Sequence, residues 1–219
     1  MDAITVTGFR WVPPFAQGLV RDLRVRWALQ EAGLPYEVSP IDFGDKNSDV
    51  YRRKSPFGLV PAFEANGRSL FESGGILHQI AEVSEVLMPE DRQGRTDTVT
   101  WMFAALNTVE PPVNNLSVLD FQHREEQWAK LRRPSAVEEV CVRLTALDAW
   151  LDGRDYLLDR FTAADILMTT VLRLIRHTDL VAGFPTLDAY VKRCEARAAF
   201  QRALGEQMAG YSRNAPVPA

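Results

Sequence analysis

The sequence predicts an α+β protein in two parts: a mixed βαβαββα domain over residues 1–86 and an all-α helical bundle over residues 99–219, joined by a linker at 87–98. Three observations carry this reading. Short runs of alternating apolar residues occur only in the first third of the chain, the period of half-buried strands. Glycine and proline punctuate that third wherever an element must turn. Beyond the linker, apolar residues recur at helical spacing in five successive stripes, the pattern of a bundle.

The elements follow in order. Residues 3–9 place Ile4, Val6 and Phe9 against Thr5 and Thr7, a strand ended by Gly8 and Pro13-Pro14. Residues 18–32 carry Leu19, Leu23, Val25, Trp27, Ala28, Leu29 and Ala32 as a helical stripe, with Gly33 and Pro35 as stop signals. Residues 36–41 form a second strand, parallel to the first by the crossover rule. Polar residues 45–54 form a short irregular helix. Residues 59–64 are apolar enough for a third strand, with Pro61 inside it; proline cannot donate to a ladder and belongs at the start or edge of a strand. Asn66-Gly67 offers a hairpin turn into residues 69–71. Glu72-Ser73-Gly74-Gly75 opens a helix with Ile76, Leu77, Ile80 and Val83 inward.

In the second part, Val99, Met102, Phe103, Leu106 and Val109 form one stripe, halted by Pro111-Pro112. Further stripes run from Val137 to Leu151, Ile166 to Leu174 and Leu187 to Cys194, with a short last helix around Phe200, Ala203 and Leu204. The string FTAADI at 161–166 carries a capping box, with Thr162 as N-cap and Asp165 three residues on. Phe161 and Ile166 take the staple positions. This accounts for Asp165 structurally, in preference to a role as catalytic acid.

Composition narrows the function classes. The chain has 219 residues, 46% hydrophobic and 25% charged, with a net charge of −4. These are values of a soluble globule. Without a basic run, nucleic acid is not an expected partner. No apolar stretch is long enough to span a membrane. The start, MDAITVTGFRW, lacks the basic and apolar regions of a secretory leader. Cys141 and Cys194 are too few for a disulfide scaffold or a structural zinc site, and both lie on apolar stripes as core thiols. His78, His123 and His177 lack metal-ligand spacing, so no metal is expected. A reducing cytoplasm is the expected compartment.

Three strings resemble the glutathione S-transferase family: LRVRWALQEAGLPYEV at 23–38, SPFGLVPAFEANGRSLFESGGIL at 55–77 and FTAADI at 161–166. The resemblance covers nearly the whole chain and implies a thioredoxin-like first domain, glutathione as co-substrate and a homodimer. It implies a cis bond before Pro61 that exposes the backbone of Val60 to a peptide-like ligand, as an added strand would be received. It implies that Glu72 meets the ammonium and Ser73 the carboxylate of the γ-glutamyl end, helped by the helix N-terminus. Read alone, Ser73 is equally an N-cap and Glu72 a first-turn acid.

The thiol activator departs from the family pattern. No Tyr, Ser or Cys precedes Tyr36, so other donors must lower a thiol pKa of about 8.5. The candidates are Arg21 and Gln17 near the helix start, then Trp11, then Arg10. Asp22 stands near the place of a family serine, where an acid cannot favour a thiolate. Leu59 replaces a Lys or Gln that reaches the glycine end of glutathione, and Lys46 and Lys54 are the replacements to consider. The second substrate, a small hydrophobic electrophile or a disulfide, would meet Trp101 and Asn107 in a cleft between the domains. The implied activity is a detoxifying glutathione transferase. The alternatives are a non-enzymatic binding protein on the same fold and a glutathione-dependent isomerase or ether-cleaving enzyme.

Overall fold

A computed structural model describes residues 3–216; Met1 and Asp2, where the segment read for a leader begins, lie outside it. The chain divides into two compact units. One runs to Leu87 and resumes at Ala198; the other is Met88–Arg197.

The first unit is built on a four-stranded sheet of order β2-β1-β3-β4. Strand β1 (Thr5–Phe9) runs parallel to β2 (Glu37–Ile41), with Thr5 opposite Glu37. It runs antiparallel to β3 (Ala62–Ala65), which pairs with β4 (Arg68–Phe71). Asn66 and Gly67 join the last two with φ of 52° and 70°, the doubly left-handed turn whose twist matches a hairpin. Helix α1 (Asp22–Ala32) ends at Gly33, whose φ of 65° lets the Gly33 N–H close on the Leu29 carbonyl. A short α2 (Asp49–Arg52) precedes β3, and α3 (Ser73–Ala81) follows β4. Val6, Val25, Ala28, Leu29, Ile76, Leu77 and Ile80 are fully buried and form the core.

Helix α9 (Ala198–Arg213) belongs to this unit and packs on α1. The Phe200 ring meets Trp27 edge-on, with centroids 4.8 Å apart. The short last helix expected from the apolar stripe is therefore sixteen residues long, because its buried face rests on α1 and its polar face stays in water.

Several boundaries differ from the sequence reading. Helix α1 starts at Asp22 instead of residue 18, since the residues before it form a 3₁₀ turn at Pro14–Ala16 and a left-handed Gly18. Helix α3 stops at Ala81, so Val83 is exposed and not inward.

The second unit contains α4 (Arg92–Phe103), α5 (Glu110–Phe121), α6 (Gln127–Leu151), α7 (Ala163–Leu172) and α8 (Pro185–Glu195). Helix α4 begins within the polar stretch read as linker, because Asp91 caps it by accepting from the Gly94 N–H at 2.8 Å. A π-helical segment, Ala104–Val109, carries α4 into α5. Pro111-Pro112 therefore opens α5 and does not halt the chain; in a first turn the missing N–H groups cost nothing. The wide π turn also breaks the 3.6-residue stripe, leaving Phe103 exposed while Met102, Ala105 and Val109 are buried. Among the described residues no helix is long and apolar enough to cross a membrane.

Candidate functional site

The site starts from a backbone constraint. The Val60–Pro61 peptide is cis. Just before it, the Leu59 backbone is held on both sides. Its carbonyl accepts from the Tyr51 and Ser55 hydroxyls at 2.9 Å each, and its N–H donates to Ser55 Oγ at 3.2 Å. Gly58 adopts φ of 63°, and a Cβ there would meet the Lys46 carbonyl at 2.7 Å. The loop is thus fixed by its own chain up to Leu59. Val60 is half-buried, and its N–H and C=O have no hydrogen-bond partner among the described residues. Desolvation raises the Tyr51 hydroxyl to about 12, so it stays a proton donor to that carbonyl.

The second half of the site is the start of α3. Glu72 holds φ of 65° and ψ of 115°, a conformation a non-glycine residue rarely adopts, and its side chain makes no cap bond. Strain of this kind costs on the order of 1–3 kcal/mol and gathers at functional positions. Ser73 is the first residue of α3, not its N-cap, and is 5% exposed. Arg24 Nη1 donates to Ser73 Oγ at 3.1 Å. Arg24 is 2% exposed, so a buried guanidinium stands behind the serine. A carboxylate at Ser73 would meet a hydroxyl, a helix N-terminus and that charge together. Sequence reading missed Arg24, because its partner lies 49 residues away. No sequence signal marks it: only the structure shows that all eight residues from Asp22 to Leu29 are buried, and buried charges require partners.

The activator candidates fall into different settings. Gln17 Nε2 donates to the Val12 carbonyl at 3.0 Å, which ties the amide to its own loop. Trp11 is half-buried and Arg21 exposed, at the N-cap of α1. Arg10 Nε pairs with Asp42 at 3.2 Å, beside β2. Asp22 is turned fully inward. It accepts from Arg26 Nε at 2.7 Å and Gln207 Nε2 at 2.8 Å. Burial pushes its carboxyl up against those two donors. Gly8 makes room for the pair, since a Cβ there would lie 2.8 Å from Asp22 Oδ2. Lys54 is engaged with Glu64 at 2.6 Å, while Leu59 points an apolar side chain to solvent.

In the second unit, Trp101 rests on Trp150 with ring centroids 5.1 Å apart, and Asn107 is exposed on the π-helical segment. Thr162 and Asp165 close the capping box of α7. Asp165 Oδ2 accepts from the Thr162 N–H at 2.8 Å; Oδ1 accepts from the Leu157 N–H and the Tyr190 hydroxyl, both at 3.0 Å. Burial raises Asp165 to about 6 despite these donors. Burial, then the nearby Asp165, also pushes the Cys194 thiol up to about 12, so it is inert. Among the described residues no group of three or more His, Cys, Asp or Glu could hold a metal ion.

A thioredoxin-like unit with a cis-proline loop, together with a helical unit whose α7 is capped in this way, defines a two-part class of fold. Comparison with known proteins fixes the family. Residues 23–85 match the glutathione S-transferase N-terminal domain and residues 120–198 the C-terminal domain. The chain belongs to the glutathione S-transferase family. It is 30% identical to a probable glutathione S-transferase of Nicotiana tabacum, over 76% of this chain and 68% of that one. It is also 30% identical to elongation factor 1-gamma-B of Xenopus laevis over 83% of this chain, but spans only 42% of that protein. A glutathione transferase family member from Pseudomonas fluorescens, solved with two glutathione molecules bound, superposes with a TM-score of 0.81 at 26% identity, covering 92% of each chain.

Proposed function

We propose that the chain is a glutathione transferase whose seat for the tripeptide is the cleft of Val60, Pro61, Glu72 and Ser73. The observation that carries this is the unpartnered Val60 backbone behind the cis bond, with Ser73 and the buried Arg24 at the next turn of chain. The cysteinyl backbone pairs with Val60 as an added strand would. The γ-glutamyl carboxylate takes Ser73 and the N–H groups of α3, and Glu72 faces the ammonium. The bound thiol loses its proton to solvent. Its sulfur then either forms a bond to an electrophilic carbon, expelling a leaving group with its electron pair, or attacks a disulfide and releases the other sulfur as thiolate. Arg21 and Trp11 are the donors proposed to hold the thiolate, since the Gln17 amide is bonded to Val12. Trp101 and Asn107 are proposed to line the seat of a small hydrophobic electrophile.

A cytoplasmic homodimer belongs to the same reading. An exposed aromatic pair, Phe57 and Phe71 with ring centroids 6.1 Å apart, supports an interface. The second reading is a glutathione-binding module without chemistry. It is favoured by the lack of any Tyr, Ser or Cys before Tyr36.

Calorimetric titration with glutathione, followed by thiolate absorbance against pH, separates the two. The transferase reading expects binding with the thiol titrating below about 8.5. Binding without that shift selects the module. No binding overturns both.

A further inference from the structure

The backbone around Leu59 binds its own chain so fully that it keeps nothing for a ligand. The Leu59 carbonyl takes the Tyr51 and Ser55 hydroxyls, and its N–H gives to Ser55 Oγ. Its side chain belongs to a residue 55% exposed and offers only methyl groups. The next residue is the opposite case. The N–H and C=O of Val60 have no hydrogen-bond partner among the described residues. The open backbone therefore starts at Val60 and is sealed on the Leu59 side.

The antiparallel register, with Ala62 opposite Phe71, brings Val60 and Ser73 to the same end of the β3–β4 hairpin. Leu59 and the α2 segment that holds it precede Val60 in the chain. A tripeptide with its γ-glutamyl end on Ser73 and its cysteinyl backbone on Val60 carries its glycine end past Val60, onto Leu59 and α2. The cations of that segment are in use. Lys54 Nζ stands 2.6 Å from Glu64 Oε2. Arg52 donates to the Pro56 carbonyl at 3.2 Å and to Asn47 Oδ1 at 3.5 Å. Lys46 approaches through its backbone, its carbonyl 2.7 Å from the place a Cβ would take at Gly58, and a carbonyl oxygen repels a carboxylate. A carboxylate that leaves water gains only where charged or N–H donors meet it. Beside Leu59 it meets a hydrocarbon surface.

We propose that the site reads the γ-glutamylcysteinyl part of its co-substrate and is indifferent to the terminal carboxylate, with Leu59 as the residue that sets this specificity. The co-substrate class is γ-glutamylcysteinyl thiols whose third residue is uncharged, masked as an ester or amide, or the free glycine of glutathione itself. The inference rests on the glutathione seat proposed above, and takes from it the placing of the γ-glutamyl end and the cysteinyl backbone.

The test is calorimetric titration of the full chain with three thiols: glutathione, its glycine monoethyl ester, and cysteinylglycine, which lacks the γ-glutamyl end. Glutathione and the ester are expected to bind within about threefold of each other, and cysteinylglycine at least about tenfold more weakly. Leu59→Lys places a cation at the exposed position without touching the backbone bonds. It is expected to tighten glutathione about threefold and leave the ester unchanged. Lys46→Ala is expected to alter neither. An ester that binds about tenfold more weakly than glutathione would overturn the proposal, since that is the mark of a lost charge-assisted bond. So would a Lys46→Ala loss confined to glutathione, or a Leu59→Lys variant that tightens neither ligand. All three leave the seat at Val60 and Ser73 standing. The seat itself fails, and this proposal with it, when neither glutathione nor the ester binds, or when cysteinylglycine binds as well as glutathione. Should Leu59→Lys not fold, the comparison of glutathione with its ester on the unaltered chain decides.

Discussion

Helices α3 and α7 meet the same electrostatic problem at their N-termini, and their sequences answer it in opposite ways. Each first turn presents N–H groups that no carbonyl of its own helix can reach. At α7 the chain supplies the answer: Thr162 and Asp165 form a reciprocal box, and Asp165 also gathers Leu157 and Tyr190. At α3 the capping residue contributes no side-chain bond, sits at positive φ, and leaves Ser73 with a buried arginine behind it. A terminus saturated by its own chain is a structural joint. One that is strained and left open is, on the function proposed above, a place for a ligand's negative charge.

The largest effect should come from breaking the closed end. Asp165→Ala removes the acceptor for two buried N–H groups and the Tyr190 hydroxyl. Urea denaturation should show a loss of about 4 kcal/mol. A loss below about 1 kcal/mol would mean that the box does not hold α7. At the open end the same kind of deletion should cost less, because a single side-chain bond, from Arg24 to Ser73, is lost. Ser73→Ala is expected to lower glutathione affinity at least tenfold, as for a hydrogen bond to a charged group of about 1.5–3 kcal/mol. It should also cost about 1–2 kcal/mol in urea, since the buried Arg24 loses its Ser73 Oγ acceptor.

Asp165 also sets a pH dependence. Its folded pKa, about 6, lies above the unfolded value of 3.8. The neutral form is therefore favoured in the fold, and its contribution is complete below pH 4, falls as pH rises to about 6, and is flat beyond. The change should be on the order of 3 kcal/mol in denaturation experiments across that window. Asp165→Asn should flatten the slope, and an unchanged slope would assign it to another group. The smallest effect concerns strain at the open end. Glu72→Gly accepts φ of 65° without penalty, and should raise stability by about 1 kcal/mol while weakening glutathione binding. Lower stability with unchanged affinity would show that Glu72 belongs to the structure alone.

The contrast also explains what could be read from sequence. The capping box is legible because its partners lie three residues apart. So is the Asn66-Gly67 turn, since local chemistry decides it; Pro61 points to a strand start or edge, and the strand begins just after it, at Ala62 and not at Leu59. Arg24 is invisible in the same way that the docking of α9 on α1 is: its partner is distant in the chain, and a stripe of apolar spacing does not say what it packs against. Pro111-Pro112 misleads because proline stops one helix and starts another by the same missing N–H, and only the π-helical approach decides which. Polar residues after Asp91 read as linker because propensity there is weak, and a single cap fixed the helix start.

The most direct test of the account is to follow backbone amide resonances while glutathione is titrated in. The account predicts that the N–H signals of Val60, Ser73 and Gly74 shift together and saturate with the calorimetric binding curve, while those of Leu157 and Thr162 stay still. Saturating binding that leaves Val60 and Ser73 unmoved would contradict it, and would place the glutathione seat elsewhere on the chain.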